Sequence, residues 1–262
     1  MHEMRKRWGE ILGCAPLARV ADWHSIVGPR AELTPLAYPL FATADVRAVR
    51  EGADRVLRDA RSRGLIVTVA RGLHVAVPLD AGPEWRPRVV EVAWLIAVAR
   101  HGRHPAPPAA PPYLCGITAA SLHRAANAAR GIVHVTVPRQ TRSLELPALR
   151  ASVVFHQRFE RCLGSPWWYS QVPDREDAGP ELEDLPGQLC RPLMTSRNQT
   201  ALDLLHSPAR MDVWGETRPI VRRLLLGGDY RAFLAVAKNQ RRHSAAERRS
   251  YERPWPDAWF TA

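Results

Sequence analysis

The chain has 262 residues, 46% of them hydrophobic, and carries 37 Lys and Arg against 26 Asp and Glu, for a net charge of +11. That length predicts two domains, and no apolar run nears the roughly 20 residues of a bilayer span, which excludes a transmembrane helix, and no membrane partner is expected. Arg5, Lys6 and Arg7 precede no apolar leader core, and Cys14, Cys115, Cys162 and Cys190 are too scattered for CxxC or zinc-finger spacing, so a cytoplasmic protein with reduced thiols is expected.

Pro16 opens the first predicted helix, in which Leu17, Val20, His24 and Val27 recur at roughly helical spacing until Gly28-Pro29 ends it. Pro35 and Pro39 make the stretch up to Leu40 irregular. Thr43 then caps a short helix through Val49, Glu51-Gly52 turns the chain, and a second helix runs through Arg63 and stops at Gly64. On that second helix Ala53, Val56, Leu57 and Ala60 form one apolar stripe. Opposite it stand Arg55, Arg58 and Ser62, flanked by Asp54, Asp59 and Arg61. A helix that reads a DNA major groove needs this division, one face packed and the other offering forked donors to guanine edges and phosphates. An ordinary amphipathic helix with a solvated charged face has it too. The residues after Gly64 favour the DNA reader: Leu65 to Val69 and Leu73 to Val77 alternate as two strands about an Ala70-Arg71-Gly72 turn. Helix, turn, helix and hairpin in that order make a winged helix-turn-helix. Arg71 would stand at the wing tip, where a guanidinium can enter a narrow minor groove.

Further along, the apolar run Val89 to Ala99 predicts a buried helix over Pro87 to Arg100, and five prolines between His104 and Pro112 predict a linker. A helix is expected over Ala119 to Ala129, then strands over Ile132 to Pro138, over Ala151 to Gln157 and near Leu189 to Met194. Residues 171–190 hold six acids against one base, with Pro173, Gly179, Pro180 and Pro186, and predict an exposed acidic insertion. Ser196-Arg-Asn-Gln199 is a capping box opening a helix through Leu205, and two more helices are expected over Val213 to Leu226 and Tyr230 to Lys238. Residues 231–253 carry seven bases against two acids. The expected fold is thus α+β: a winged helix-turn-helix domain over 1–80, a connecting helix and Pro-rich linker over 81–112, and a mixed α+β domain over 113–262 with a helical C-terminal end.

The order of motifs resembles the AbiEi family of antitoxins from type IV toxin–antitoxin systems. The resemblance rests on Arg63-Gly-Leu-Ile with Arg71-Gly-Leu-His74-Val, on Tyr113-Leu-Cys-Gly-Ile-Thr-Ala-Ala-Ser-Leu122-His, on Val133-His-Val-Thr-Val-Pro138 with Val153-Val-Phe-His156, and on Thr195-Ser-Arg-Asn-Gln-Thr200-Ala-Leu-Asp203-Leu-Leu. His74 stands where the family usually has Tyr. The resemblance implies a transcriptional repressor of its own operon that counteracts a nucleotidyltransferase-like toxin, touched directly or opposed indirectly.

No enzyme motif accompanies these features: there is no G-x-S-x-G, no H-E-x-x-H and no phosphate-binding G-x-x-x-x-G-K-[ST]. Pro173-Asp174 lacks the E-x-K that a metal-dependent nuclease adds, and the ten histidines show no ligand spacing, so no catalytic residue, metal or cofactor is expected. The candidate DNA-binding residues are Thr43, Arg55, Arg58, Arg61, Ser62, Arg71 and His74, joined by Arg241 and Arg242 of the basic C-terminal stretch. The expected partner is double-stranded DNA at inverted repeats in the chain's own promoter. A winged-helix regulator unrelated to any toxin, or a basic protein that binds RNA, would satisfy the same charge.

Overall fold

The computed structural model describes residues 39–49, 51–78, 81–82, 84–101, 112–127, 131–157, 181–208, 215–226 and 228–240. The expected helix after Pro16, the stretch 102–111, Trp167-Trp168-Tyr169, and Arg241 and Arg242 lie outside the described residues. What is described is mixed α+β, with seven α-helices and two sheets.

Strand β1 (Leu40–Ala42) runs straight into helix α1 (Thr43–Val49), and α2 (Ala53–Ser62) comes after a tight turn. Gly52 makes that turn at φ 70, a left-handed conformation that favours glycine. The expected stripe is borne out: Ala53, Leu57 and Ala60 are buried, and with Val56 they pack against Val46, Phe41, Ile66 and Ala76. At the far end of α2, Leu65 N–H donates to Ala60 O at 2.9 Å and Gly64 N–H to Arg61 O at 3.0 Å. This paired closure satisfies the last carbonyls and places Gly64 at φ 69, as its position after the helix predicts.

Strands β2 (Ile66–Ala70) and β3 (Leu73–Ala76) form the expected hairpin about Arg71-Gly72, one residue shorter at its outer ends. β1 pairs antiparallel with β3, giving the order β1-β3-β2.

Helix α3 (Val89–His101) is the buried helix expected over Pro87 to Arg100. Every residue from Glu91 to Ala99 is buried. A helix apolar all round has to be enclosed on all sides, and α3 is: it shares one core with Leu40, Val69 and Val75 of the first sheet and with Val133, Val135, Val153 and Phe155 of the second. It is therefore the central core helix, whereas a connector between separate domains was expected. Trp94 fixes its far side by donating from Nε1 to Pro112 O at 2.8 Å.

The second sheet has six strands in the order β6-β7-β5-β4-β9-β8. They are β4 (Tyr113–Leu114), β5 (Ile132–Val137), β6 (Leu144–Leu146), β7 (Ala151–Gln157), β8 (Leu182–Asp184) and β9 (Leu193–Thr195). β5 and β7 are the two expected strands, and they pair in parallel. Between β4 and β5 lies α4 (Gly116–Leu122), shorter than the expected Ala119 to Ala129 helix. Arg124 ends it by taking φ 60 while Ala125 N–H donates back to Ala120 O at 2.8 Å.

In the acidic stretch Glu181, Glu183 and Asp184 are exposed as expected, but the segment is anchored to the fold. Residues 171–180 are outside the described residues, but Leu182–Asp184 pair with β9, and Leu189 and Cys190 are buried. The anchor is Glu91, fully buried on α3, whose carboxylate accepts Leu189 N–H at 2.7 Å and Gln188 N–H at 3.2 Å. A methyl group on Gly187 would collide with Cys190 O and the Glu91 carboxylate, so only glycine fits there. Helices α5 (Arg197–His206), α6 (Thr217–Leu225) and α7 (Tyr230–Asn239) close the fold around a second core of Leu202, Ile220, Leu224 and Phe233. Ser196 caps α5 as expected, accepting Gln199 N–H at 3.2 Å. The reciprocal half is missing, because the Gln199 side chain bonds Asp203, Gln240 and Glu181 N–H instead.

Candidate nucleic-acid interface

Burying Ala53, Leu57 and Ala60 turns the opposite face of α2 outward, so Arg55, Arg58, Arg61 and Ser62 are exposed. The three arginines recur at intervals of three residues, about one turn apart along one side of the helix. The two carboxylates of α2 are engaged elsewhere. Asp54 takes a two-pronged bond from Arg47 Nη2 of α1, at 3.0 and 3.1 Å, and Asp59 Oδ2 lies 3.7 Å from Arg63 Nη1. Exposed pairs of this kind add little stability, on the order of 0–1 kcal/mol. Their consequence is local: among the described residues, Arg55, Arg58 and Arg61 have no acidic partner. Arg71 is exposed at the hairpin turn and has none either. Ser62 donates its hydroxyl proton to Asp59 O at 2.8 Å, which leaves its oxygen as an acceptor only.

Two candidates sit differently from expectation. His74 is 3% exposed, in the middle strand of the first sheet. Its Nε2 is 2.9 Å from Thr43 Oγ1 and its Nδ1 3.0 Å from Thr68 Oγ1. Burial, reinforced by the charge of Arg61, lowers its pKa from 6.5 to about 4, so the ring is neutral at physiological pH. An enclosed imidazole cannot touch DNA, and His74 leaves the contact set. Thr43, half-buried with its hydroxyl toward His74, is corrected as a cap, for it occupies the first turn of α1. The capping carboxylate belongs to Asp45, which accepts Ala42 N–H at 2.7 Å.

Thr68 and Arg47 were not singled out in the sequence. For Thr68 no local signal was available, since it comes opposite His74 only through a register shift between Thr68 and Ala70 in the hairpin. A histidine pair was also not foreseen: the parallel β5–β7 register brings His134 Nδ1 within 2.7 Å of His156 Nε2, with the rings stacked. Among the described residues no group of three or more His, Cys, Asp or Glu side chains is placed to hold a metal ion. No helix among them is long and apolar enough to cross a membrane.

No family model and no curated protein matches the chain. Among solved structures, the RV2827C protein from Mycobacterium tuberculosis is similar at 17% identity and a TM-score of 0.41, over 92% of this chain and 85% of that one. A likeness at that score carries no inference about this protein.

Proposed function

We propose that this protein binds double-stranded DNA in a sequence-specific manner, with residues 39–78 acting as the reading half of a winged helix-turn-helix. The observation that carries the reading is the exposed row Arg55, Arg58 and Arg61, which has no acidic partner among the described residues while Asp54 and Asp59 each hold another arginine. Arg55 and Arg58 are the major-groove readers, because a guanidinium can bond the O6 and N7 of guanine together. Arg71 enters the neighbouring minor groove or grips its phosphates. The net charge of +11 supplies the long-range attraction. The motif resemblance to AbiEi antitoxins extends the proposal to an autorepressor of a toxin–antitoxin operon.

The test is footprinting of the sequence upstream of the chain's own gene, then titrations of that duplex, a scrambled duplex and a matching RNA at one salt concentration. Protection of inverted repeats is expected. Replacing Arg55 or Arg58 by Ala should weaken binding by about 1–3 kcal/mol and relax choice at one base position. A double variant that binds like wild type removes α2 from the interface, and a preference for RNA overturns the DNA reading. Failure to rescue cells from a nucleotidyltransferase-like toxin encoded beside it would remove the antitoxin extension alone.

A further inference from the structure

Two separate surfaces, α2 and the hairpin tip at Arg71, have to meet adjacent grooves of one duplex at once. Side chains on different elements do so only if something fixes the elements relative to each other, and the contacts that do so converge on one buried ring. His74 lies on β3 opposite Thr68 of β2 and Phe41 of β1. Its Nδ1 meets the Thr68 hydroxyl and its Nε2 meets the hydroxyl of Thr43, the first residue of α1. The backbone of that same Thr43 donates its N–H to Gly72 O at 2.9 Å, one residue past Arg71. α1 is in turn tied to α2 through Val46 in their shared core and through the Arg47–Asp54 fork. An unbroken path therefore runs from Arg71 through Gly72, Thr43 and α1 to the arginines of α2.

We infer that His74 is a positioning residue: the Thr43–His74–Thr68 relay holds the hairpin tip in register with α2, so that Arg71 contributes to binding only while the relay is intact. This rests on the proposed DNA binding. The chemistry suits the role. A neutral imidazole offers one donor and one acceptor, and a threonine hydroxyl can serve as either, so the ring completes both bonds at once. The ring is buried between two half-buried threonines, which limits the orientations open to it.

The experiment is a double-mutant cycle in the full chain, read as affinity for a duplex selected by the wild-type protein from a random library. In the wild-type background, Arg71→Ala should weaken binding about tenfold. In a His74→Leu background, which removes both bonds, the same Arg71→Ala change should weaken it less than about twofold. His74→Gln, whose amide again supplies a donor and an acceptor, should restore the full effect of Arg71→Ala. A residue that merely stabilises the fold would lower the melting temperature without altering this coupling. If His74→Leu does not fold, Thr43→Val removes the Nε2 partner at nearly constant shape and serves the same cycle. An equal loss from Arg71→Ala in all backgrounds overturns the inference and leaves the DNA reading standing. A selection that enriches no duplex overturns both.

Discussion

Burial, with the charge of Arg61 beside it, lowers the pKa of His74 to about 4, while the unfolded chain protonates it near 6.5. Above pH 6.5 both states are neutral and the contribution of His74 to stability is complete. As pH falls from 6.5 toward 4, the unfolded chain takes up a proton that the folded chain refuses, so stability declines, by up to roughly 3 kcal/mol once the folded pKa is passed. Urea unfolding at pH 7.5 and 4.5 should therefore show a smaller loss for His74→Gln than for wild type; equal losses would contradict the depressed pKa. Glu91 makes a second case at this scale. Its buried carboxylate holds two backbone N–H groups of the 186–190 segment, with Arg88 Nη1 3.5 Å away. Glu91→Ala strands those donors and should cost about 2–4 kcal/mol, while Glu91→Gln, which keeps one acceptor, should cost less. Chemical denaturation of the two variants side by side checks the order.

The helices α2 and α3 illustrate opposite uses of the same element. α2 buries a narrow stripe and leaves its arginines in water, so Arg55→Ala and Arg58→Ala should change binding while leaving the unfolding midpoint within about 0.5 kcal/mol of wild type. α3 has no solvent face from Glu91 to Ala99, and its side chains fill the space between two sheets. Leu95 is completely buried there, and Leu95→Ala should cost about 2–5 kcal/mol, the range for an aliphatic side chain whose cavity cannot collapse. Thermal unfolding of the variant measures it, and a loss under about 1 kcal/mol would mean the core around α3 is looser than its burial indicates.

For the molecule as a whole, a core continuous through α3 means that neither sheet keeps its interior if the other is lost. Unfolding monitored by tryptophan fluorescence and by far-ultraviolet circular dichroism should give coincident transitions, where independent domains would separate them. Charge acts at the same scale. The bases of residues 231–253, Arg241 and Arg242 among them, add to the positive field of the chain. Truncation after Asn239 should flatten the dependence of DNA affinity on salt, because fewer counterions are released on binding. An unchanged slope would make this stretch a solvated surface and nothing more.

Local chemistry was enough to place the parts that depend on neighbours in sequence. Gly52 and Gly64 mark the ends of α2, the 3.6-residue period sets which of its faces is wet, alternation finds the β2–β3 hairpin and the β5 and β7 strands, and Ser196 starts α5. The apolar run finds α3 as well, but nothing local gives its partners, since a helix apolar on every face has no phase to say what lies on each side of it. The short strands β4, β6 and β8 are only two or three residues long and depend on pairing within the sheet, β4 and β6 with the longer β5 and β7 and β8 with the equally short β9. The interior of the candidate site was decided in the same way. Whether His74 faces DNA or Thr43, and whether Asp54 weakens the arginine row or is occupied by Arg47, depends on strand register and helix packing, which join residues up to 31 positions apart. The sequence determined which side chains are candidates for the proposed reading of a duplex, and the tertiary structure decided which of them stay exposed, because burial and pairing are properties of contacts that only folding creates.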